Sequence, residues 1–323
     1  MILSNPLVCQ EITDIAVQAS EEAAIAASKL IGTGKKNEAD ALAVNAMREI
    51  FNKSQYGIQV VIGEGEMDKA PMLYIGEKLG INKEKIVFDL AVDPLEGTNL
   101  CANNMPNSIT AIAISDKGNL LAAPDCYMQK IASGKVFEKG VIHIESSIKE
   151  NLNNLSLYLK KDITDLNVVI LDRERHFDKI KEVRNLGAKV SLISDGDIYG
   201  IIATTHFGNG ADLYLGSGGA PEGVLAAVAI KAVGGQMMGK LELESETQKQ
   251  RAINYGIKNP SSILDLEDMV KGNAIFIASG ITNGEMLKGI KVCKKTGNTI
   301  CETIVFNAIS NFFSVKKITH YLK

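Results

Sequence analysis

The chain has 323 residues, of which 46% are hydrophobic and 23% charged, and its 35 basic against 38 acidic side chains give a formal net charge of −3. This is an ordinary globular composition, long enough for one large or two medium domains. The slightly acidic balance points to neither nucleic acid nor an anionic membrane, and it means that an anionic substrate would have to be met by local positive charge or bound cations.

Residues Glu11 to Ile31 are expected to form a helix, because Ile12, Ile15, Ala16, Ala19, Ala23, Ala26 and Leu30 recur at helical spacing and Gly32-Thr33-Gly34 follows. Lys36 to Phe51 read as a second helix. The β-branched run Ile58 to Ile62 reads as a strand closed by Gly63. Ala70 to Leu79 read as a short helix with Pro71 in its first turn. Ile86 to Val92 read as a strand stopped by Asp93-Pro94, and Ser108–Ser115 and Leu120–Ala123 as further strands. Residues 141–166 are polar and rich in Asn, Ser and Lys. A domain boundary is placed there, giving residues 1–157 and 158–323. Beyond it, Asn167–Leu171, Ala188–Ile193, Ala211–Leu215 and Ala274–Ala278 read as strands. Phe177–Leu186 and Val224–Val233 read as helices. Strands and helices alternate without strict βαβ order, so the expected class is α/β with mixed sheets.

Cys9, Cys101, Cys126, Cys293 and Cys301 form no CxxC pair and no zinc spacing. Their odd number argues against a secreted disulfide framework, and they are read as packed thiols. No apolar run is long enough to span a bilayer, and no secretory signal is visible at the start. The expectation is a soluble cytoplasmic protein.

Four acids stand where a regular element meets a loop. Asp40 is on the second helix, Glu64 follows the strand ending at Ile62, Asp93 follows Val92, and Glu96 lies three residues further on. Carboxylates at strand ends converge at a sheet edge, where they repel unless cations join them. Hard oxygen ligands of this kind select Mg²⁺ or Mn²⁺. Pro94 and Gly97 would let Asp93 and Glu96 face one point, with the Thr98 hydroxyl beside the metals to orient a water. Local spacing alone leaves this reading even with a plain Pro-Gly turn carrying a Thr N-cap.

Gly216-Ser217-Gly218-Gly219-Ala220-Pro221-Glu222-Gly223 follows a strand and opens a helix, a place where backbone can approach an anion. Glu222 is there either a first-turn acid favoured by the helix dipole, the locally stronger reading, or a metal ligand. Gly63-Glu64-Gly65-Glu66-Met67-Asp68 fails as a dinucleotide loop, because the third glycine is missing and its acids would repel a pyrophosphate. Arg173 and Arg175, after the strand ending at Leu171, read as a phosphate clamp or as a solvated helix start. None of the four histidines stands near a Ser or Cys in a hydrolase context.

These residues resemble class II fructose-1,6-bisphosphatases, a bacterial group related to lithium-sensitive phosphatases. The resemblance is carried by Lys36-Asn37 to Asp40, Val61 to Glu66 with Ala70 to Glu77, Ala91 to Thr98, Ala123 to Met128, Ser194 to Asp197 and Gly219 to Gly223. The resemblance implies a layered α-β-α-β-α sugar-phosphatase fold with mixed sheets and two subdomains. Residues 1–157 would be the metal-binding catalytic part, and 158–323 the sugar-phosphate part contributing Glu222. It implies Asp40, Glu64, Asp93, Glu96 and Glu222 as ligands of Mg²⁺ or Mn²⁺. Thr98 would activate the water, and Asp68 would be a further catalytic acid. Glu96, Gly97, Thr98, Tyr127, Arg173, Glu174, Arg175, Asp195, Gly196, Asp197 and Gly219 would contact substrate.

The implied activity is hydrolysis of the 1-phosphate of fructose 1,6-bisphosphate. Thr98-Asn99-Leu100 and Gly256 to Pro260 resemble a cyanobacterial and plastid-related branch whose members also act on sedoheptulose 1,7-bisphosphate. Asn103-Asn104-Met105-Pro106 departs from the family's glycine-containing stretch. The short loop from Ile81 to Ile86 lacks the branch's cysteine-bearing segment, so redox control is not carried over. Alternatives are an inositol-phosphate or nucleotide phosphatase, or a non-catalytic sugar-phosphate-binding regulator. The expected partner is a small sugar bisphosphate, with no nucleic acid and no membrane, in a homo-oligomer, a dimer or tetramer.

Overall fold

The computed structural model describes residues 2–65, 72–208, 210–293, 295, 298–309 and 312–322. It divides into two compact units, Met1–Leu121 with Val270–Lys323, and Ala122–Met269.

The first unit opens with α1 (Pro6–Ser28) and α2 (Lys36–Asn52). Helix α1 starts ahead of its expected first residue because Asn5 caps it, accepting from the Leu7 and Val8 N–H groups, while Pro6 sits where no N–H is needed. Its buried stripe is rich in small residues (Ala16, Ala19, Ala23, Ala27), which suits close packing against α2. Strands β1 (Gly57–Ile62), β2 (Lys78–Leu79) and β3 (Ile86–Glu96) follow, then α3 (Thr98–Ala102) and β4 (Ile109–Asp116).

The second unit runs β5 (Tyr127–Ser133), α4 (Ile148–Leu159), β6 (Asn167–Leu171), α5 (Phe177–Asn185), β7 (Lys189–Ile193), α6 (Asp197–Ile202), β8 (Leu213–Gly219) and α7 (Ala220–Ala232). It ends with β9 (Gln236–Glu242), α8 (Glu246–Asn254), β10 (Ile263–Asp265) and α9 (Leu266–Met269). The chain then returns to the first unit with β11 (Ala274–Ser279), β12 (Lys291–Val292), β13 (Thr299–Ile309) and β14 (Phe312–Leu322).

Each unit has one mixed sheet, as the sequence led us to expect for the class. In the first the order is β12-β13-β11-β4-β3-β1-β2, with β14 also on β13, and only β1 and β3 run parallel. In the second the order is β10-β9-β5-β8-β6-β7, with β6 parallel to both β7 and β8. Ile12, Met47, Phe51, Ile58 and Phe88 belong to the first unit's core, and Ile131, Leu152, Leu155, Val168 and Ile170 to the second's.

Several local expectations give way to tertiary pairing. The described part of the expected helix 70–79 is a looped segment ending in β2. Its backbone bonds to β1 instead of to itself (Val60 N–H to the Glu77 carbonyl, Gly76 N–H to the Val60 carbonyl), and Leu73 takes a positive φ of 50°. Leu120 makes a single bridge to Val270 in place of a strand. The polar stretch expected to link domains holds α4, closed by a capping box between Ser147 and Glu150. The 157/158 boundary falls inside that helix, and the chain instead passes from one unit to the other at 121/122 and 269/270. The reason is that β11 pairs with β4 and β13, which draws the last fifty-odd residues into the first sheet.

Candidate active site

In the first unit, Asp40 projects from the second turn of α2 and Glu64 follows β1. Their side chains are hydrogen-bonded to each other. Burial pushes the Asp40 carboxyl up from its ordinary value, and the Glu64 contact partly offsets this. The Glu64 loop is held by its own N–H to the Leu73 carbonyl at 3.0 Å. Gly63 is required there, because a Cβ would collide with that same carbonyl. Glu77 anchors the loop from behind. It is buried, accepts from the Leu73 N–H, and pairs with Arg48 Nε of α2 at 2.7 Å. Asp40 and the Glu64 loop are therefore tied through one ion pair on the same helix.

Asp93 and Glu96 stand at the end of β3, which runs through Pro94 instead of stopping there. The register against β4 shifts between Asp93 and Glu96. Proline fits at such an irregularity because it has no N–H to give to the ladder. Asp93 Oδ1 accepts the Leu95 N–H at 3.1 Å, and the Glu96 carbonyl accepts from the buried Ser108 hydroxyl at 3.1 Å. The strand thus runs four residues past its expected end at Val92, and the chain turns at Gly97 with φ 76°. Thr98 is the first residue of α3 and is half-buried, while Glu96 is buried. Asp68 lies outside the described residues.

In the second unit, Tyr127 begins β5 with its ring exposed, and the Arg175 guanidinium lies 4.8 Å from the ring centroid. Arg175 Nε and Nη2 both donate to the Ser217 carbonyl, at 3.1 and 2.8 Å. Arg173 sits 3.9 Å from Asp195. The two arginines thus have different surroundings instead of forming one fork, and Glu174 between them is exposed. His176 is buried, with Nδ1 on the Leu171 carbonyl and Nε2 accepting the Ser217 N–H, both at 2.8 Å. Burial pushes its pKa down, and the bond from Ser217 requires a ring nitrogen without a proton. It is a framework histidine joining β6 to β8.

The glycine-rich stretch is strand, since β8 runs through Gly216 to Gly219. Gly196 (φ 89°) precedes α6, and Asp197 is its first residue. Gly219 precedes α7, and Glu222 lies in that helix's first turn. Burial pushes the Glu222 carboxyl up; Lys130 and its own backbone N–H draw it down, and Asp197 and Asp125 push it further up. Glu222 Oε2 is covered and has no hydrogen-bond partner among the described residues.

Nothing in the local sequence singles out Lys130, Tyr214 or the Arg48–Glu77 pair. Lys130 lies in an ordinary-looking strand, yet it is 1% exposed and donates to the Asp197 carboxylate and to the Gly219 carbonyl at 2.7 Å. The Tyr214 hydroxyl donates to the other Asp197 oxygen. Among the described residues no three His, Cys, Asp or Glu side chains already stand as a metal-holding group, and no helix is long and apolar enough to cross a membrane. Burial pushes the Cys101 and Cys126 thiols up to about 11 and Cys301 to about 12, which makes them poor nucleophiles.

Residues 10–320 match the family described as bacterial fructose-1,6-bisphosphatase, glpX-encoded. A Prochlorococcus marinus (strain MIT 9312) protein named D-fructose 1,6-bisphosphatase class 2/sedoheptulose 1,7-bisphosphatase is 43% identical over 317 residues, covering 93% of each chain. A protein of the same name from Synechocystis sp. (strain ATCC 27184 / PCC 6803 / Kazusa) is 43% identical over 299 residues, covering 85% of this chain and 86% of that one. The solved inositol monophosphatase from Anabaena is similar at 15% identity over 76% of this chain and 96% of that chain, with a TM-score of 0.38, a likeness too loose to assign anything.

Proposed function

The chain belongs to the glpX-encoded bacterial fructose-1,6-bisphosphatase family, and from that premise we propose that it hydrolyses the 1-phosphate ester of fructose 1,6-bisphosphate to fructose 6-phosphate and phosphate. The observation in the structure that carries this reading is the side-chain contact between Asp40 and Glu64. Two carboxyls held together and partly buried are stable only if they share a proton or a cation. The uncovered need of Glu222 Oε2 for a partner supports the same donor chemistry. All-oxygen donors fit a divalent cation, and among these Mg²⁺ or Mn²⁺.

In this reading Asp40, Glu64, Asp93, Glu96 and Glu222 are the cation ligands. A divalent cation held by them supplies charge neutralisation at the phosphoryl oxygens and makes a water more acidic. Thr98, at the head of α3, orients the attacking water, and Gly97 and Glu96 line the turn that presents it. Asp68 is a further catalytic acid in this reading. Tyr127, Arg173, Glu174, Arg175, Asp195, Gly196, Asp197 and Gly219 hold the remainder of the sugar phosphate and position it. The relatives' printed names carry two substrates, and the proposal extends to sedoheptulose 1,7-bisphosphate. We also place the enzyme in the cytoplasm as a homo-oligomer, a dimer or tetramer, which light scattering of the purified protein tests.

The decisive experiment is phosphate release from fructose 1,6-bisphosphate by purified protein with Mg²⁺ or Mn²⁺, repeated with chelator. Turnover that chelator abolishes is expected. No turnover with either cation, or full turnover in chelator, would overturn the reading.

A further inference from the structure

Helix α7 starts without a side-chain cap. Its N-cap is Gly219, which has no side-chain oxygen for the first-turn N–H groups. A Cβ at this position would fall on the Glu222 carboxylate where it now lies, so any larger residue would displace that carboxylate. Glu222 folds back over the cap, with Oε2 covered and unpartnered among the described residues. The helix start thus has no cap from Gly219, and its first turn carries a carboxylate bonded, among the described residues, only to its own N–H.

Lys130 bonds to this helix start. Its Nζ donates to the Gly219 carbonyl at 2.7 Å and to one oxygen of Asp197, whose other oxygen takes the Tyr214 hydroxyl. The start of α6, at Asp197, and the cap of α7, at Gly219, are therefore fastened to one amine on β5. The surroundings are cut to fit. A Cβ at Gly223 would come within 3.1 Å of Lys130 Cδ, and a Cβ at Gly218 would collide with the Asp197 carboxylate. Lysine is almost never fully buried unless paired, and an apolar side chain of similar size would pack there without the desolvation cost. What distinguishes lysine here is the two oxygens it holds.

We propose that Lys130 is a positioning residue for Glu222, holding the Gly219 carbonyl and Asp197 on one amine so that the Glu222 carboxylate is aimed at a divalent cation. This rests on the reading of Glu222 as a cation ligand. Position and charge here act in opposite directions. The positive charge of Lys130 by itself disfavours a cation nearby, so its removal would tighten binding if charge were all that mattered. Loss of positioning weakens binding.

The test is Mn²⁺ titration of the full-length protein, following free Mn²⁺ by electron paramagnetic resonance, with thermal unfolding in chelator alongside. The variants are Glu222→Gln, Lys130→Met and the double variant Lys130→Met/Asp197→Asn, which also removes the acid that the single change leaves unpaired. Weakening of Mn²⁺ binding by about 10- to 100-fold is expected in both Lys130 variants, the range typical of groups that orient a ligand, and at least as much in Glu222→Gln. Unchanged binding in Glu222→Gln overturns the ligand reading. Weakened binding in Glu222→Gln, with wild-type or tighter binding in the Lys130 variants, overturns the role of Lys130 alone. If neither Met variant is folded at the assay temperature, Lys130→Arg decides, since it keeps the charge and changes the shape of the donor. Weakened binding supports the proposal and wild-type binding overturns it.

Discussion

Asp40 on α2 and Glu64 beyond β1 meet side chain to side chain, and the Arg48–Glu77 pair ties the same helix to the same loop. Two acids so placed oppose each other unless a cation or a proton lies between them. Saturation with Mg²⁺, at about 100 times its dissociation constant, should therefore stabilise the wild type by about 2.7 kcal/mol. Asp40→Asn should show a smaller gain with Mg²⁺, and in chelator it should be at least as stable as wild type. Thermal melts with and without Mg²⁺ check both, and an Asp40→Asn gain equal to wild type would remove Asp40 from the ligand set.

Thr98 is half-buried at the first position of α3, where alanine costs the helix nothing. Thr98→Ala should lower kcat by about 10²- to 10⁴-fold, the span of a lost proton-handling group, with the melting temperature unchanged. Asp93→Ala should abolish turnover likewise. Steady-state kinetics beside a thermal melt separates these outcomes, and normal turnover in both variants would dismiss the site.

Gly97 has φ 76°, and a Cβ there would stand 2.8 Å from Leu100 Cδ1. Gly97→Ala should cost about 1–2 kcal/mol from the left-handed conformation alone, with a further loss from the crowded Leu100. Urea unfolding measures the cost. Activity should fall as well, because the turn carries Glu96 and Thr98.

Asp212 gives the second unit a pH dependence. Burial pushes its carboxyl up, but Lys161 at 2.7 Å, Lys135 at 2.9 Å and the Asn167 N–H at 3.0 Å outweigh this and hold it below the ordinary value. A lowered folded-state pKa means stability that is present above the ordinary carboxylate value of about 4 and lost as pH falls through the folded value. Asp212→Asn should cost about 1.5–3 kcal/mol at pH 7, as for hydrogen bonds to a charged group, and should lose less than wild type on acidification. Denaturant melts at neutral and acid pH test the sign.

Thr303 on β13 links a buried chain of polar groups. Its hydroxyl donates to Glu21 Oε1 of α1 at 2.8 Å and shares a 2.8 Å contact with Ser279, while His320 of β14 meets the same Glu21 oxygen at 2.7 Å. Thr303→Val keeps the shape and strips the donor, and should destabilise by about 1–3 kcal/mol. Equal stability in a urea melt would show that water replaces the hydroxyl.

Much of the frame was readable locally. Helices α1 and α2 follow from apolar spacing, and β1, β6 and β7 from short β-branched runs between turn residues. The placing of acids at element ends points to Asp40, Glu64 and Asp93 from the sequence alone. Over the described residues 72–79 the expected helix gives way, because Glu77 and the edge of β1 take up the backbone and side-chain partners that a helix would need. The glycines of β8 looked like a loop, yet they are the places where Asp197 and Glu222 come too close for a Cβ.

The sequence by itself determined the family and the mixed α/β class, because periodicity, turn residues and the Gly63–Glu77 and Ala91–Thr98 stretches are local and survive in linear order. Only the tertiary structure decided that residues 270–323 complete the first sheet, that Asp40 and Glu64 meet, and that Lys130 fastens Asp197 to the start of α7. Those relationships join residues tens to hundreds of positions apart. They are set by strand pairing and by the need of buried polar groups for partners, neither of which leaves a spacing to read along the chain.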